Sequence, residues 1–458
     1  MKSSLARHLK KILGQDGFST DPWDLRAYSY DASGLTFTPT AIALPRTIEQ
    51  VASILRLAEQ EGLKIYPRGA GTGTTGACLA EQPGLVLCLT RMDKILSISP
   101  ENLCVTVEPG VITGRIQNYV EARGLFYPPD PASLAFCTIG GNVATCAGGA
   151  RAVKYGVTRD YVMGLELVLA GGKVITTGVK TAKGVVGYDL TRLIVGSEGS
   201  LGVITRITLR LIPAPRCVGT LLSFFSSVNK AARAVVSLFS QGIVPRCAEF
   251  LDALSIKCIK EHLPDGVPAG TMALLLVEVD GNRASVKEQL SDILTCFEKE
   301  QAILVKVAKG PEEAKRFWSA RRALSPAIRR LGFPDKVSED ICVPRNRLPE
   351  ILERIGAIGN DTGITILCFG HAGDGNLHVN LLLDLKEPGA FSRCEKAVRR
   401  IMEDTVSVGG TISGEHGIGI TKRPYITLEL KQQVIQVMKQ IKSCFDPKGI
   451  LNPGKVFP

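Results

Sequence analysis

Apolar side chains recur with a helical period over residues 47–62, TIEQVASILRLAEQEG, where Val51, Ile54, Leu55 and Ala58 fall on one face. Thr47 and Gln50 form a candidate capping box, and Gly62 is the expected stop. A short apolar stretch (Ala43-Leu44-Pro45) precedes this helix. A strand over 64–67 follows it and runs into a glycine-rich stretch, 68–77, so the segment reads as strand–helix–strand ending in a glycine loop. Further strands are predicted at 85–89, 104–107, 164–170 and 201–212, with one helix, 113–123, closing at Gly124.

The rhythm changes after Pro213-Ala214-Pro215. Strand 217–225, helix 228–241, strands 245–251 and 271–279, helix 284–300 and strand 302–308 follow in an order that resembles a ferredoxin-like sandwich of helices on an antiparallel sheet. A helix at 311–331, a glycine-broken hairpin at 364–385, a helix at 388–408, a glycine-rich turn at 409–419 and a helix at 427–444 complete the pattern. Residues 332–363 receive no element, and no internal repeat is visible. The tail, FDPKGILNPGKVF, has turn chemistry without a helical period and is expected to pack back on the first domain. The expected division is therefore a first domain at 1–214, a second at 215–425 and a C-terminal segment at 426–458.

Composition narrows the function classes. Hydrophobic residues are 45% and charged residues 22% of the 458 positions, ordinary for a globular protein, and no apolar run is long enough for a membrane-spanning helix. The net charge of +11 resides in scattered doublets such as Arg321-Arg322, Arg329-Arg330 and Arg399-Arg400, never interleaved with aromatics. That argues against nucleic acid and for an acidic partner or anionic substrate. The 13 cysteines contain no C-x-x-C, and the closest pair, Cys137 and Cys146, is nine residues apart. Reduced thiols in a cytoplasmic setting are expected, rather than a cysteine-held zinc or iron–sulfur centre. The basic, amphipathic N-terminus, MKSSLARHLKKILG, reads as a folded surface helix, with a targeting segment as the alternative.

The 47 glycines are concentrated where chemistry can use them. Gly71-x-Gly73-x-x-Gly76 matches a dinucleotide fingerprint as written, but a Rossmann unit needs a helix to open from the glycines, and Pro83 and Gly84 forbid one. Successive backbone N–H groups of Pro67-Arg68-Gly69-Ala70-Gly71-Thr72-Gly73 can instead form an anion nest for a diphosphate; a flexible surface loop is the alternative. Residues 128–149, PPDPASLAFCTIGGNVATCAGG, are nearly uncharged and too irregular for a strand or helix. Such backbone, if buried, needs hydrogen-bond partners that a polar cofactor would supply. A third stretch, Val195–Ile204, places glycines just before a strand.

Three of the five histidines lie in two glycine-rich motifs, Gly370–Asn380 and Ser413–Gly419. His371 and His378 suit two strand ends bridged by a tight turn. With a carboxylate they can ligate a divalent metal, or they can serve only as hydrogen-bonding groups. Arg321, in Trp318-Ser-Ala-Arg-Arg, offers a fork for a substrate carboxylate, with a solvated helix face as the other reading. Asn380 lies two residues after His378 and shares its strand face.

PRGAGTG, PPDPAS…TIGGNVAT, Tyr155-Gly156 and GSEGSLGVIT together resemble the FAD-binding domain of the vanillyl-alcohol oxidase/p-cresol methylhydroxylase flavoproteins, and the likeness extends over nearly the whole chain. Within that family the similarity is greatest to glycolate oxidase FAD subunits and D-lactate dehydrogenases. The resemblance implies an α+β architecture: a two-subdomain FAD-binding domain plus a ferredoxin-like substrate cap. It implies FAD held by Pro67, Arg68, Gly69, Ala70, Gly71, Thr72 and Gly73, by Pro129, Ser133, Thr138, Gly140, Gly141, Asn142 and Thr145, and by Gly199, Gly202, Val203, Ile204 and Asn452. No histidine lies in these loops, so the FAD is expected to be non-covalent. The family also implies zinc or a similar ion on His371, His378 and Glu415, His416 as the base, and Arg321 and Asn380 as substrate contacts. The implied activity is oxidation of a small 2-hydroxy acid, D-lactate or glycolate, with an iron–sulfur or flavoprotein partner taking the electrons and, through it, a possible peripheral association with a membrane. Related 2-hydroxyglutarate dehydrogenases carry a lysine where Ser338 stands, which argues against a dicarboxylate. The alternatives are the same fold acting on another donor, such as 2-hydroxyglutarate, another hydroxy acid or an alkyl-lipid substrate, and a non-catalytic subunit of a redox complex.

Overall fold

The computed structural model describes residues 3–263 and 266–457; Met1 and Lys2 of the basic N-terminal stretch lie outside them. The chain divides into two compact units. The first holds Met1–Gly148, Val157–Ala214 and Glu415–Pro458, and the second holds Gly149–Gly156 and Pro215–Gly414. The chain thus re-enters the first unit at Glu415 rather than at residue 426, and an eight-residue excursion joins the second unit early.

The first unit is built on two larger sheets and a two-stranded pairing of Leu125–Phe126 with Ile212–Pro213. Lys64–Arg68, Gly84–Cys88 and Ala41–Ala43 pair in parallel, with Phe18–Ser19 added antiparallel at the edge. Helix Ile48–Glu61 connects two of these strands. Thr47 Oγ1 accepts from Gln50 N–H, and Gly62 closes the helix at φ 67°. The capping box is only half formed, because Gln50 Oε1 accepts from Arg46 N–H, one residue earlier than expected. Val51, Ile54, Leu55 and Ala58 share a core with Leu5, Leu9 and Leu13 of helix Ser3–Leu13, so the N-terminal amphipathic segment is a packed helix. A five-stranded antiparallel sheet runs in the order Ile95–Ser99, Cys104–Val107, Val203–Arg210, Val162–Val168, Val174–Gly178. In the C-terminal tail Ile450 O accepts from Ile65 N–H and Asn452 N–H donates to Ile65 O, which extends the parallel sheet by one bridge.

One expectation fails here. Residues 128–149 are not irregular throughout: Ile139–Thr145 is a short helix. Thr138 caps it by accepting from Gly141 N–H, and Gly140 lies so close to Pro109 that a Cβ would stand 2.6 Å from it. Close packing and the cap outweigh the poor helix propensity of adjacent glycines.

The second unit is a seven-stranded antiparallel sheet. Its first four strands in sequence, Cys217–Phe225, Cys247–Asp252, Ala273–Gly281 and Leu304–Val307, lie in the spatial order fourth, first, third, second, consistent with the ferredoxin-like expectation. The sheet continues through Thr365–His371 and Asn376–Leu383 to Asp335–Cys342. This last strand and helix Leu348–Thr362 occupy the stretch that the sequence left without elements. Helix Pro311–Ile328 covers one end of one sheet face, burying Phe317, Ala320 and Leu324 on Leu222, Leu251, Leu276 and Leu367. The other end of that face is polar.

Among the described residues no helix is long and apolar enough to cross a membrane, and all 13 cysteines are free thiols.

The tail buries Lys455 against the Tyr66 ring, 5.1 Å from its centroid. Burial, opposed by Glu81, lowers the Lys455 pKa from 10.5 to about 8. Below pH 8 the group is charged whether folded or unfolded, so it adds no slope. Between pH 8 and 10.5 the unfolded chain binds more protons, and stability from this group rises with pH. Thermal melts of apoprotein should show wild type gaining on Lys455→Met across that window and not below it; parallel curves would remove the buried charge from the account.

Candidate active site

A single cleft in the first unit gathers all three glycine segments. Its walls come from Pro67–Thr74, from Pro131–Ser133 and Thr138–Thr145, and from Glu198, Gly199, Gly202 and Ile204, with Glu415 and His416 completing the lining. The first segment leaves the carboxyl end of a parallel strand, where open α/β sheets commonly bind ligands. Gly69 packs on Thr138 so closely that a Cβ there would meet Oγ1 at 2.2 Å, and the first two segments therefore interlock. At Gly73 a Cβ would meet nothing within 4 Å; the backbone there faces open space. Thr74 Oγ1 is buried with no hydrogen-bond partner in the protein, which leaves a polar atom for a ligand to satisfy.

Arg68 contributes backbone rather than charge to this wall. Its guanidinium turns inward, donating to Tyr30 O at 2.8 Å and Tyr28 O at 3.5 Å, and so pins residues 28–31 beneath the glycine loop. Asp31 lines the cleft beside it. Burial pushes the Asp31 carboxyl up, against hydrogen bonds from the Ser33 hydroxyl and amide.

The loop carrying His416 is held from two sides within this unit. Thr75 Oγ1 donates to His416 O at 3.3 Å, and Ile420 N–H donates to Thr75 O at 2.7 Å. Opposite, the Glu198 carboxylate accepts from Ile418 N–H at 2.6 Å and Gly419 N–H at 2.9 Å. Burial raises the Glu198 pKa, while these two bonds and the charges of Lys455 and Lys422 act in the other direction. His416 Nε2 lies 3.8 Å from Glu415 Oε1.

In the second unit a row of buried polar groups crosses the polar end of the sheet face. His371 ends one strand and His378 sits on the next, paired with Phe369, the two imidazoles edge to face with centroids 5.2 Å apart. Glu249, on the neighbouring strand opposite His371, accepts from Arg321 Nε at 2.8 Å and Nη2 at 2.7 Å, and its other oxygen bonds His371 Nδ1 at 2.5 Å. Burial pushes the Glu249 carboxyl up, but the neighbouring His371 and Arg321 prevail and hold it below the usual carboxylate value. Asn380 is fully buried, accepting from Ser338 Oγ at 2.8 Å and donating to His378 O at 3.3 Å. Asp280 accepts from Lys154 Nζ at 2.5 Å and Tyr155 OH at 2.7 Å, which ties residues 149–156 into this unit.

Most expected FAD contacts line the cleft; three do not. Pro129 gives its carbonyl to Gln117 Nε2, Val203 buries its side chain in the core, and Asn452 Nδ2 bonds the carbonyls of Ala77 and Glu198, bracing the wall from behind. Sequence reasoning missed Asp31, Glu198 and Glu249. For Glu198 a signal existed: a lone acid flanked by glycine and serine in an otherwise uncharged stretch. Glu249, in the apolar strand Cys247–Asp252, carried a similar mark, since a charge there must be paired.

Comparison with known proteins accords with this geometry. Residues 39–178 match the FAD binding domain family, and residues 214–456 match the C-terminal domain of FAD linked oxidases. The chain is 42% identical to the glycolate oxidase subunit GlcD of Bacillus subtilis over 450 residues, covering 98% of this chain and 96% of that one. It is 36% identical to a D-lactate dehydrogenase of Anaerostipes hadrus over 435 residues, covering 91% and 89%. A crystal structure of p-cresol methylhydroxylase with substrate bound superposes with a TM-score of 0.80 at 17% identity, covering 99% of this chain and 96% of that one, so the fold is shared. A cleft walled by three glycine segments, two domain matches spanning most of the chain and relatives aligned nearly end to end agree: the protein is a member of the FAD-linked oxidase family.

Proposed function

We propose that this chain oxidises a small 2-hydroxy acid, D-lactate or glycolate, to the 2-oxo acid. The observation that carries the reading is that His416, a candidate base, lines the same cleft as the three glycine segments suited to FAD. The relatives' names, glycolate oxidase subunit and D-lactate dehydrogenase, support the substrate class.

The cleft fits FAD held without a covalent bond: backbone N–H groups of residues 69–73 for the diphosphate, the Thr74 hydroxyl as a further polar contact, and Gly140, Gly141 and Ala144 for close approach. FAD supplies the acceptor for the two electrons that leave substrate Cα with its hydrogen. His416 takes the hydroxyl proton. Arg321 draws the substrate carboxylate by charge while Glu249 fixes its orientation through Nε and Nη2. Asn380, bonded to Ser338, holds the strand beneath His378 in register and is the second proposed substrate contact. With a serine at 338 rather than a second cation, a monocarboxylate suits this face better than a dicarboxylate.

His371, His378 and Glu415 would hold a divalent ion, zinc or similar. Glu249 on His371 Nδ1 leaves Nε2 to coordinate and raises its basicity, as carboxylates behind metal-bound histidines do. Such an ion would supply Lewis acidity toward the hydroxyl. The chain has no cysteine pair spaced for an iron–sulfur centre, and its charge is +11. Both features support electron delivery to a separate acidic iron–sulfur or flavoprotein partner, in the cytoplasm.

Purified protein should be yellow and release all its flavin on acid precipitation. Anaerobic D-lactate or glycolate should bleach the flavin band, whereas 2-hydroxyglutarate should do so poorly. His416→Ala should keep FAD but reduce it on the order of 10²–10⁴-fold more slowly. An effect under about tenfold removes His416 as the base, and bleaching only by a dicarboxylate overturns the substrate assignment.

His371→Ala and Glu415→Ala should each lose bound divalent ion, by elemental analysis, and lose activity with FAD retained. Chelation of wild type should do the same reversibly. Active wild-type enzyme free of any such ion would make these residues hydrogen-bonding groups only.

Turnover with oxygen alone should be slow, and an acidic redox partner should restore it less well as salt rises. Stoichiometric hydrogen peroxide at full rate from the isolated chain would make it an oxidase without a partner.

A further inference from the structure

Glu198 is a buried acid with unusual demands on it. It adopts φ 52°, a left-handed backbone that L residues other than Asn and Asp rarely take, between Gly196 and Gly199, which are left-handed too. Its amide donates to Ala144 O at 2.8 Å, and its carbonyl accepts from Asn452 Nδ2. The main chain is thereby tied to the short helix Ile139–Thr145 on the cleft wall. A Cβ at the next residue, Gly199, would stand 3.1 Å from Pro67, so this turn also abuts the first glycine segment.

The side chain does something different. Its two oxygens each take one of two consecutive amides, Ile418 and Gly419, immediately after His416-Gly417. Two adjacent N–H groups aimed at one side chain call for a group with two acceptors and no donor, and the carboxylate alone among side chains provides that in planar form. Gly417, at φ 82°, has no room for a side chain, since a Cβ would meet Glu198 Oε1 at 2.7 Å. From the opposite side, Thr75 grips the carbonyl of His416, and a Cβ at Gly419 would stand 2.2 Å from Thr75 O. The His416 loop is therefore clamped between residues continuous with two FAD-lining segments.

We propose that Glu198 is a positioning residue that couples the seating of the cofactor loops to the placement of the His416 imidazole. It does not touch the reacting atoms, and the proposal rests on His416 being the base. A positioning error of about 1 Å in a reacting group costs on the order of 10²-fold in rate, which sets the expected scale.

The test uses the FAD-loaded enzyme and two readouts. Glu198→Ala should lower the rate of flavin reduction, measured per bound FAD at saturating substrate, by roughly 10²-fold. Glu198→Gln, which retains one acceptor, should fall between Ala and wild type. Amide exchange at Ile418 and Gly419 should speed up in the same order. A merely structural role would lower stability or FAD content without this graded loss of rate. If Glu198→Ala fails to hold FAD, Glu198→Gln and Thr75→Val carry the comparison. Faster exchange with a wild-type reduction rate, or a slower rate with unchanged exchange, overturns the inference. His416→Ala separates the two readings: it should reduce slowly while exchange at 418 and 419 stays slow. A wild-type rate in His416→Ala would sink the base assignment, leaving the exchange result intact.

Discussion

A carboxylate taken out of water must be met by donors, and three buried carboxylates organise what this protein can do. Glu249 is answered by Arg321 and His371, Asp280 by Lys154 and Tyr155, and Glu198 by two main-chain amides. Each ties together segments that lie far apart along the chain. Glu249 orients an imidazole and a guanidinium from different elements toward the same polar end of a sheet face. Asp280 captures a short excursion of chain. Glu198 fastens a glycine-rich loop that has no regular secondary structure of its own. Hydrophobic burial builds the sheets and helices, but it is non-directional; the donors matched to these acids supply the direction.

The fold is legible in the sequence where one periodicity dominates. Helix Ile48–Glu61 and strand Cys217–Phe225 stand within a residue or two of their expected limits because apolar spacing and end signals agree. Strand Asp335–Cys342 was not legible: its sequence, DKVSEDIC, carries four charges, and Glu339 and Asp340 are nevertheless buried by cross-strand pairing with Val379 and His378. Tertiary pairing overrides local preference there. The helix at Ile139–Thr145 escaped for the opposite reason, since two glycines hide a helix whose cap and close packing exist only in three dimensions.

The candidate site divides the same way. Glycine segments are visible because few other uses require such density, and the histidine motifs because their ligand chemistry is specific. What the sequence does not display is which way a side chain turns. Arg68, in the middle of the diphosphate-type loop, points back into the protein to hold residues 28–31, so its charge is spent on the scaffold. Nor does the chain betray the arrangement of the second unit, in which strands Cys247–Asp252 and Thr365–His371 meet at the centre of the sheet, one from the four ferredoxin-like strands and one from the three that extend them. Their meeting brings Glu249 opposite His371.

The excursion at residues 149–156 has a consequence for how this architecture can be recombined. Residues 215–414 look like a separable cassette, because they enter and leave at single points along the chain. Yet the buried Asp280 takes Lys154 and Tyr155 from a stretch encoded far upstream, amid the cofactor segments. A chimera that exchanged only the contiguous insert between relatives would carry Asp280 with Arg246 but meet a lysine and a tyrosine position selected against another sheet. The heritable module is discontinuous, and grafting a new specificity onto this frame means moving both pieces together.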